Sequence, residues 1–185
     1  MNDPGRERSD VLEKLAQAAG LLEEFLDVRL IPAHGVMLAY AIRGARDSNG
    51  VAAVQGGIMH KQGKAFVAGP CAFGVDADIA RIVLTAMRFD PQMRCAATLR
   101  FSKNVLGVIE NLLLESTLFD PALEPPGIST MDWGVAYCCK EGVPDVCYDY
   151  GGKGKEGTIR LFGEKPIDVT NNIIMISNRI IHIEL

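Results

Sequence analysis

The chain has 185 residues, 19 basic and 23 acidic side chains, a net charge of -4 and 48% hydrophobic residues. This balance excludes a disordered or fibrous chain and gives no electrostatic footprint for nucleic acid or an anionic membrane surface. No apolar run approaches the ~18–20 residues of a membrane span, and the charged start from Met1 to Arg8 lacks the apolar stretch of a signal peptide, so the expected location is the cytoplasm.

The first 28 residues read as a helix, with Asp10 and Glu13 as a capping pair and Val11, Leu12, Leu15, Ala18, Leu22, Phe25 and Leu26 along one face. Leu30 to Gly35 ends it, Val36 to Ile42 is short and apolar enough for a strand, and Arg43 to Gly50 is a polar loop that suits a ligand edge or simply a turn. Ile58–His60 and Ala65–Val67 flank Lys61-Gln62-Gly63-Lys64 as a hairpin. Asp76 caps a helix with Ile79, Ile82, Val83, Ala86 and Met87 in its buried stripe, stopped by Asp90-Pro91. Cys95 to Phe101 follows as a strand. Ser102 then caps a helix with the stripe Val105, Leu106, Ile109, Leu112 and Leu113.

Pro121, Pro125 and Pro126 make Phe119 to Gly127 a loop. Ser129 and Asp132 cap a short helix through Trp133, Ala136, Tyr137 and Lys140. Pro144 to Tyr148 is a strand, Asp149 to Gly157 a glycine-rich loop, and Thr158 to Phe162 a strand. Pro166 sits at a first helical position, and the isoleucines beyond Ile176 leave helix and strand both open. Helices mixed with hairpin-joined strands, without βαβ alternation, favour an α/β layered domain with a mixed, mostly antiparallel sheet over a doubly wound core. At this length folding buries roughly 70% of the extended surface, enough for a single core.

The five cysteines, at positions 71, 95, 138, 139 and 147, are odd in number and contain no CxxC spacing. They read as buried small hydrophobes in a reducing compartment. Gly152-Lys153-Gly154-Lys155-Glu156-Gly157 matches the dinucleotide fingerprint by letter, but the strand-like Thr158–Phe162 follows where that site needs a helix. A hairpin offering backbone amides and two lysines to a phosphate remains open beside a plain solvated hairpin. Asp145 and Asp149 fall on one face of a strand about 13 Å apart, too far to share a metal; either one could hold Mg2+ through water beside a diphosphate, or cap a turn. Arg81, Arg88, Arg94 and Arg100 offer bidentate donors to phosphate oxygens or structural ion pairs. No nucleophile constellation is present, and no organic cofactor is expected.

Gly44-Ala45-Arg46, the stretch from Ala80 to Pro91, Trp133-Gly134-Val135, Pro144-Asp145-Val146 with Tyr148-Asp149, and Ile159-Arg160 occur in an order that resembles the ThiN-type thiamine-phosphate synthase domain. The resemblance covers residues 10 to 178, and Ala80–Pro91 is its most specific part. It implies a three-layer α/β/α domain, similar to the class II aldolase-like architecture, with residues 1–28 as an N-terminal helix packed on the domain at 29–185. It also implies a reaction in which an aminopyrimidine diphosphate loses pyrophosphate as the nitrogen of a thiazole phosphate attacks its methylene carbon. Such chemistry needs cations and amides around the leaving group more than a protein nucleophile.

The residue chemistry and the resemblance together nominate Gly44, Arg46, Arg81, Arg100, Asp145, Asp149, Gly152, Lys155 and Arg160 as ligand-binding residues, with Asp149 as the candidate for Mg2+. The implied partners are phosphorylated thiamine precursors or thiamine phosphate, without nucleic acid or membrane, and a homodimer is a compatible assembly. Family members are commonly fused behind a kinase or a DNA-binding module, whereas 185 residues match the synthase domain alone. The chain departs from the family at two positions associated with catalysis: an arginine is replaced by Gly57 in Gly56-Gly57-Ile58, and a histidine by Asp78 in Asp76-Ala77-Asp78. Loss of such a guanidinium costs on the order of 3 kcal/mol of barrier lowering. A noncatalytic module sensing thiamine phosphate or a precursor is therefore the competing expectation. A third is an assembly role for the isoleucine-rich tail from Ile173 to Leu185.

Overall fold

Asp3 opens the first helix: its carboxylate accepts from the Gly5 N–H, Pro4 takes the first helical position, and α1 (Pro4–Phe25) runs for 22 residues. The helix therefore starts before the Asp10–Glu13 pair, at Pro4, and Asp10 instead bridges to Lys14 at 2.9 Å. The computed structural model describes residues 3–127 and 129–185. In chain order the remaining elements are β1 (Leu38–Ala41), β2 (Val51–Val54), β3 (Ile58–Lys61), β4 (Lys64–Val67), β5 (Cys71–Phe73), α2 (Ala77–Phe89), β6 (Cys95–Arg100), α3 (Lys103–Asn111), β7 (Ser116–Leu118), α4 (Trp133–Cys138), β8 (Val146–Tyr148), β9 (Gly151–Gly152), β10 (Lys155–Glu156), β11 (Thr158–Gly163) and α5 (Pro166–Ile180).

A seven-stranded sheet, in the order β5-β2-β1-β6-β11-β8-β7, forms the middle layer. Every neighbouring pair is antiparallel except β7–β8. The sheet is buried on both faces, and the strand period of two divides its side chains between two cores. Leu38, Tyr40, Leu99, Ile159 and Leu161 join Leu15 and Leu22 of α1, Ile109 of α3 and Ile173 and Ile176 of α5. On the other face Ala39, Ala41, Ala53 and Ala96 meet Ile79, Val83 and Ala86 of α2 and Val135 of α4. Four alanines on the sheet side let α2 lie close, which suits a helix whose stripe is made of branched side chains. The architecture is thus a three-layer α/β/α domain with a mixed, mostly antiparallel sheet.

The expected hairpin is β3–β4, and Gln62 and Gly63 at its turn both have positive φ, 53° and 75°, the conformation that a two-residue hairpin turn needs. Three strands were not expected. β2, β5 and β7 are three or four residues long and consist largely of Ala, Cys, Ser or Thr, so neither length nor apolar alternation marks them. Ser102 caps α3 as expected, but Leu113 lies outside its stripe: its φ is 60° and it is 90% exposed. The isoleucine-rich tail is helical to Ile180, and Ile173, Ile176 and Ile180 are fully buried, which removes the basis for an assembly role. No helix among the described residues is long and apolar enough to cross a membrane.

Candidate functional site

On β11 the alternation that buries Ile159 and Leu161 sends Arg160 to the opposite face, the one shared with α4. Beside it on β8, Cys147 pairs in register with Arg160, and the chain leaves the sheet at Asp149. Together these open a cleft of about 660 Å³. Its walls are Arg81 of α2, the segment from Phe119 to Glu124, Asp132 and Gly134 at the start of α4, and the β9–β10 hairpin with Gly152, Lys153, Lys155 and Glu156.

Arg160 is held on three sides. Its Nη1 donates to Asp149 Oδ2 at 2.9 Å and to the Thr158 carbonyl at 3.4 Å, and its guanidinium lies 4.9 Å above the Phe119 ring centre, while its buried Nε has no protein partner. Asp149 is 5% exposed, and its other oxygen accepts from the Gly151 N–H at 2.8 Å. One carboxylate therefore orients the arginine and anchors the hairpin that carries the lysines. Phe119 is itself propped edge-on by Trp133, with ring centres 6.2 Å apart.

The hairpin replaces the dinucleotide reading of the glycine run. Lys153 and Gly154 form its turn with φ of 44° and 77°, β9 and β10 pair on either side, and the chain continues into β11 rather than a helix. Gly151 is required sterically, because a Cβ there would strike the Lys155 carbonyl oxygen and Gly157 N. On the opposite wall, Arg81 Nη2 donates to the carbonyls of Ser129 and Met131 at 3.0 and 3.1 Å. Thr85, one turn on, donates to the Arg81 carbonyl at 2.7 Å and accepts from the Asp132 N–H at 2.9 Å. Arg81 thus fixes the entry to α4 while it faces the cleft. The thiols behind this wall stay protonated at neutral pH: burial pushes Cys139 up to about 12 and Cys147 upward as well.

Of the residues nominated from sequence, Arg81, Asp149, Gly152, Lys155 and Arg160 meet in the cleft. Arg100 acts from outside: its Nε is 2.5 Å from Glu156 Oε1, and Glu156 Oε2 accepts from the Ala33 N–H at 3.2 Å, so the hairpin is tied to the Pro32–Met37 loop. Arg100 also lines a separate small cleft of about 280 Å³ with Arg29, Ser102 and Leu185. Asp145 accepts from the Glu115 N–H at 2.9 Å, a long-range bond that ties the start of β8 to the start of β7. Gly44 and Arg46 follow Ala41, beyond the Cys95 end of β6, whereas the cleft is at the Arg100–Thr158 end. Neither is part of it.

Gly57 and Asp78 do not line the cleft either. Gly57 has φ of 70°, and a Cβ there would lie 2.8 Å from the Val36 carbonyl oxygen. This backbone leaves no room for a side chain at that position. Asp78 is exposed in the first turn of α2, one turn before Arg81, and its N–H donates to the Asp76 cap. Sequence reasoning did not nominate Phe119; the signal available was an aromatic residue opening a proline-rich loop.

Asp149 is a poor direct ligand for Mg2+, since both its oxygens accept from protein donors and one donor is a guanidinium. Among the described residues no group of three or more His, Cys, Asp or Glu is disposed to hold a metal ion.

The profile of the family described as "Thiamine-phosphate synthase ThiN" matches residues 14–175. The chain belongs to the ThiN family. It is 34% identical over 172 residues to the bifunctional thiamine biosynthesis protein ThiDN of Methanocaldococcus jannaschii, a match covering 91% of this chain and 41% of that protein. It is 29% identical over 133 residues to thiamine-phosphate synthase ThiN of Methanothermobacter thermautotrophicus, covering 68% and 70% respectively. The chain thus spans less than half the length of ThiDN. Among solved structures, the C-terminal domain of a phosphomethylpyrimidine kinase matches with a TM-score of 0.87 and 32% identity, over 92% of this chain and all of that domain. Another solved C-terminal domain matches at a TM-score of 0.89 and 32% identity over 96% of this chain and 98% of its own. The ThiN fold is therefore present nearly end to end, and the cleft of this chain holds two arginines and a lysine-bearing hairpin.

Proposed function

We propose that this ThiN domain binds phosphorylated thiamine precursors in the Arg160 cleft and joins an aminopyrimidine diphosphate to a thiazole phosphate. The observation that carries this reading is Arg160, oriented by Asp149 and with its buried Nε unpartnered, in the wall of a cleft of about 660 Å³ whose rim supplies Lys153 and Lys155. As the thiazole nitrogen forms its bond to the methylene carbon, the bond to the diphosphate oxygen breaks and negative charge grows on the leaving group. Pre-oriented guanidinium and ammonium donors stabilise that charge, which is the largest contribution a protein can make to such a step. Asp149 holds the Arg160 guanidinium in place, and the backbone N–H groups of the Gly152–Gly154 turn supply further donors for phosphate oxygens. No step is assigned to Mg2+ through Asp149, because that carboxylate is already committed.

The test is to incubate purified protein with both precursors and magnesium and measure thiamine phosphate by chromatography. Product above a no-enzyme control supports the reading. Its absence under conditions where a ThiN synthase turns over overturns it.

A second reading, a noncatalytic sensor of thiamine phosphate or a precursor, is favoured by Gly57, where the resemblance leads one to expect a catalytic arginine and this backbone opposes a side chain. It requires saturable calorimetric binding of thiamine phosphate without turnover of the precursors, and no binding of any of these ligands sinks it.

A further inference from the structure

Cys138 ends α4 and Cys147 lies at the centre of β8, on the sheet face that α4 covers. Their sulfurs are 2.7 Å apart, 6% and 0% exposed respectively. Their other polar neighbours are main-chain carbonyls, Thr117 O at 3.5 Å from Cys138 Sγ and Gly134 O at 3.7 Å from Cys147 Sγ. A disulfide requires sulfurs at about 2.0 Å, so only a small side-chain adjustment separates the pair from bonding distance. Cys71 and Cys95 are free thiols, and Cys139, the residue after α4, shares the buried cluster with the pair without a sulfur contact as short as theirs.

We propose that Cys138 and Cys147 form a reversible intramolecular disulfide that staples α4 to β8 behind the cleft. The electron acceptor is a small-molecule disulfide. Cys138, the less buried of the two, loses its proton and attacks one sulfur of the oxidant, releasing one thiol and leaving a mixed disulfide. Cys147 then loses its proton and attacks the Cys138 sulfur, expelling the second thiol. In sum two protein thiols and one oxidant disulfide become one protein disulfide and two small thiols.

Burial raises the Cys147 thiol, which makes the second step slow at neutral pH and faster as pH rises. Access comes through opening of α4, a helix of only six residues that ends at a glycine-bearing turn, Lys140–Gly142. The bond would join the strand that leads to Asp149 with the helix that begins beside Gly134, and so brace one wall of the cleft without using any residue that faces it.

The experiment equilibrates the full chain with oxidised glutathione at pH 8, quenches with acid, unfolds it, alkylates the remaining thiols and weighs the product. Reduced protein has five thiols and takes five adducts. The oxidised protein is expected to take three, with a single peptide cross-link between positions 138 and 147. Its melting temperature should rise by about 5 °C and fall back with dithiothreitol. Five adducts at every glutathione ratio, or a cross-link between another pair, overturns the proposal. So does an oxidised form that melts no higher than the reduced one. The variant Cys147→Ser should form no cross-link: it should take four adducts without oxidant and, with oxidant, three adducts plus one glutathione held on Cys138. Should that variant not fold, the wild-type cross-link map decides alone.

Discussion

Asp149 grips Arg160 through Oδ2 at 2.9 Å while its Oδ1 takes the Gly151 N–H at 2.8 Å, so a single buried carboxylate couples the arginine at the floor of the cleft to the hairpin at its rim. The pair is desolvated, with Asp149 side-chain exposure at 7% and Arg160 at 14%. Removing one member of such a pair strands the other charge, which costs more than the pair itself contributes. Asp149→Ala should therefore lower the unfolding free energy by about 3 kcal/mol in urea titrations. The double variant Asp149→Ala with Arg160→Met should be less destabilised than the sum of the two single changes. Strict additivity would show that the two side chains do not act as a unit.

Arg160→Lys separates binding from folding. Lysine keeps the charge beside Asp149 but loses the planar fork that lines the cleft. Calorimetric affinity for thiamine phosphate should drop by about tenfold, the equivalent of one charged hydrogen bond, with a stability loss smaller than that of Arg160→Met. Unchanged affinity would place the phosphate elsewhere than on Arg160.

Most of this site was legible in the sequence as chemistry but not as geometry. The glycine run from Gly152 and the strand pattern of Thr158–Phe162 correctly indicated a hairpin instead of a nucleotide-binding helix, because a period of two follows the glycines immediately. Asp145 and Asp149 looked equivalent at a spacing of four. The fold separates them, since β8 spans only Val146–Tyr148 and Asp145 is drawn to the Glu115 N–H at one end while Asp149 turns toward Arg160 at the other. Gly44 and Arg46 fell to the wrong end of the sheet because the β1–β6 register, a long-range property, decides which loops gather around the cleft. The short strands β2, β5 and β7 escaped notice because tertiary pairing, not local propensity, makes them strands.

Gly134 gives a prediction about shape. Its position on α4 faces Phe119 so closely that a Cβ would overlap the ring atoms Cε2 and Cζ. The ring carries the Arg160 guanidinium on one face and Trp133 on its edge, so it cannot move without disturbing the cleft. Gly134→Ala, which by helix propensity alone would stabilise α4, should instead destabilise the protein by about 1–3 kcal/mol through overpacking. A thermal melt compared with Gly107→Ala makes the check, since Gly107 sits in α3 with open space at its Cβ. If both variants gain stability, the Phe119–Gly134 contact is not as close as the structure shows.

Gly57 is the position at which the sequence resemblance leads to the expectation of an arginine, and the backbone opposes any side chain there. With φ at 70° and Val36 O lying 2.8 Å from a Cβ, Gly57→Ala should already cost about 1–2 kcal/mol. Gly57→Arg should be no better, and should not raise turnover by itself. A Gly57→Arg protein with wild-type stability and increased thiamine phosphate formation would show that this turn can be rebuilt around a side chain.

The last prediction concerns pH and a contact far from the cleft. Asp27 chelates Arg29, accepting from Nε at 3.0 Å and Nη2 at 2.8 Å, while Arg29 also donates to the carbonyls of Ile180 and Ile183 at 2.8 and 2.7 Å and so closes the end of α5. The hydrogen bonds from the Arg29 side chain hold the Asp27 carboxyl below its ordinary value. A carboxyl depressed in the folded state contributes stability that is complete above its unfolded pKa, about 3.9, and is lost as pH falls through the lower folded value. Asp27→Asn keeps the amide-capping oxygen for the Arg29 N–H but removes the charge. At pH 7 it should be less stable than wild type by about 0.5–1 kcal/mol, a gap that narrows as pH drops below about 4 and closes once the wild-type carboxyl is protonated. Urea midpoints taken from pH 7 to pH 2.5 provide the measurement. A gap that stays constant across that range would mean the Asp27 charge is not what ties Arg29 to the end of α5.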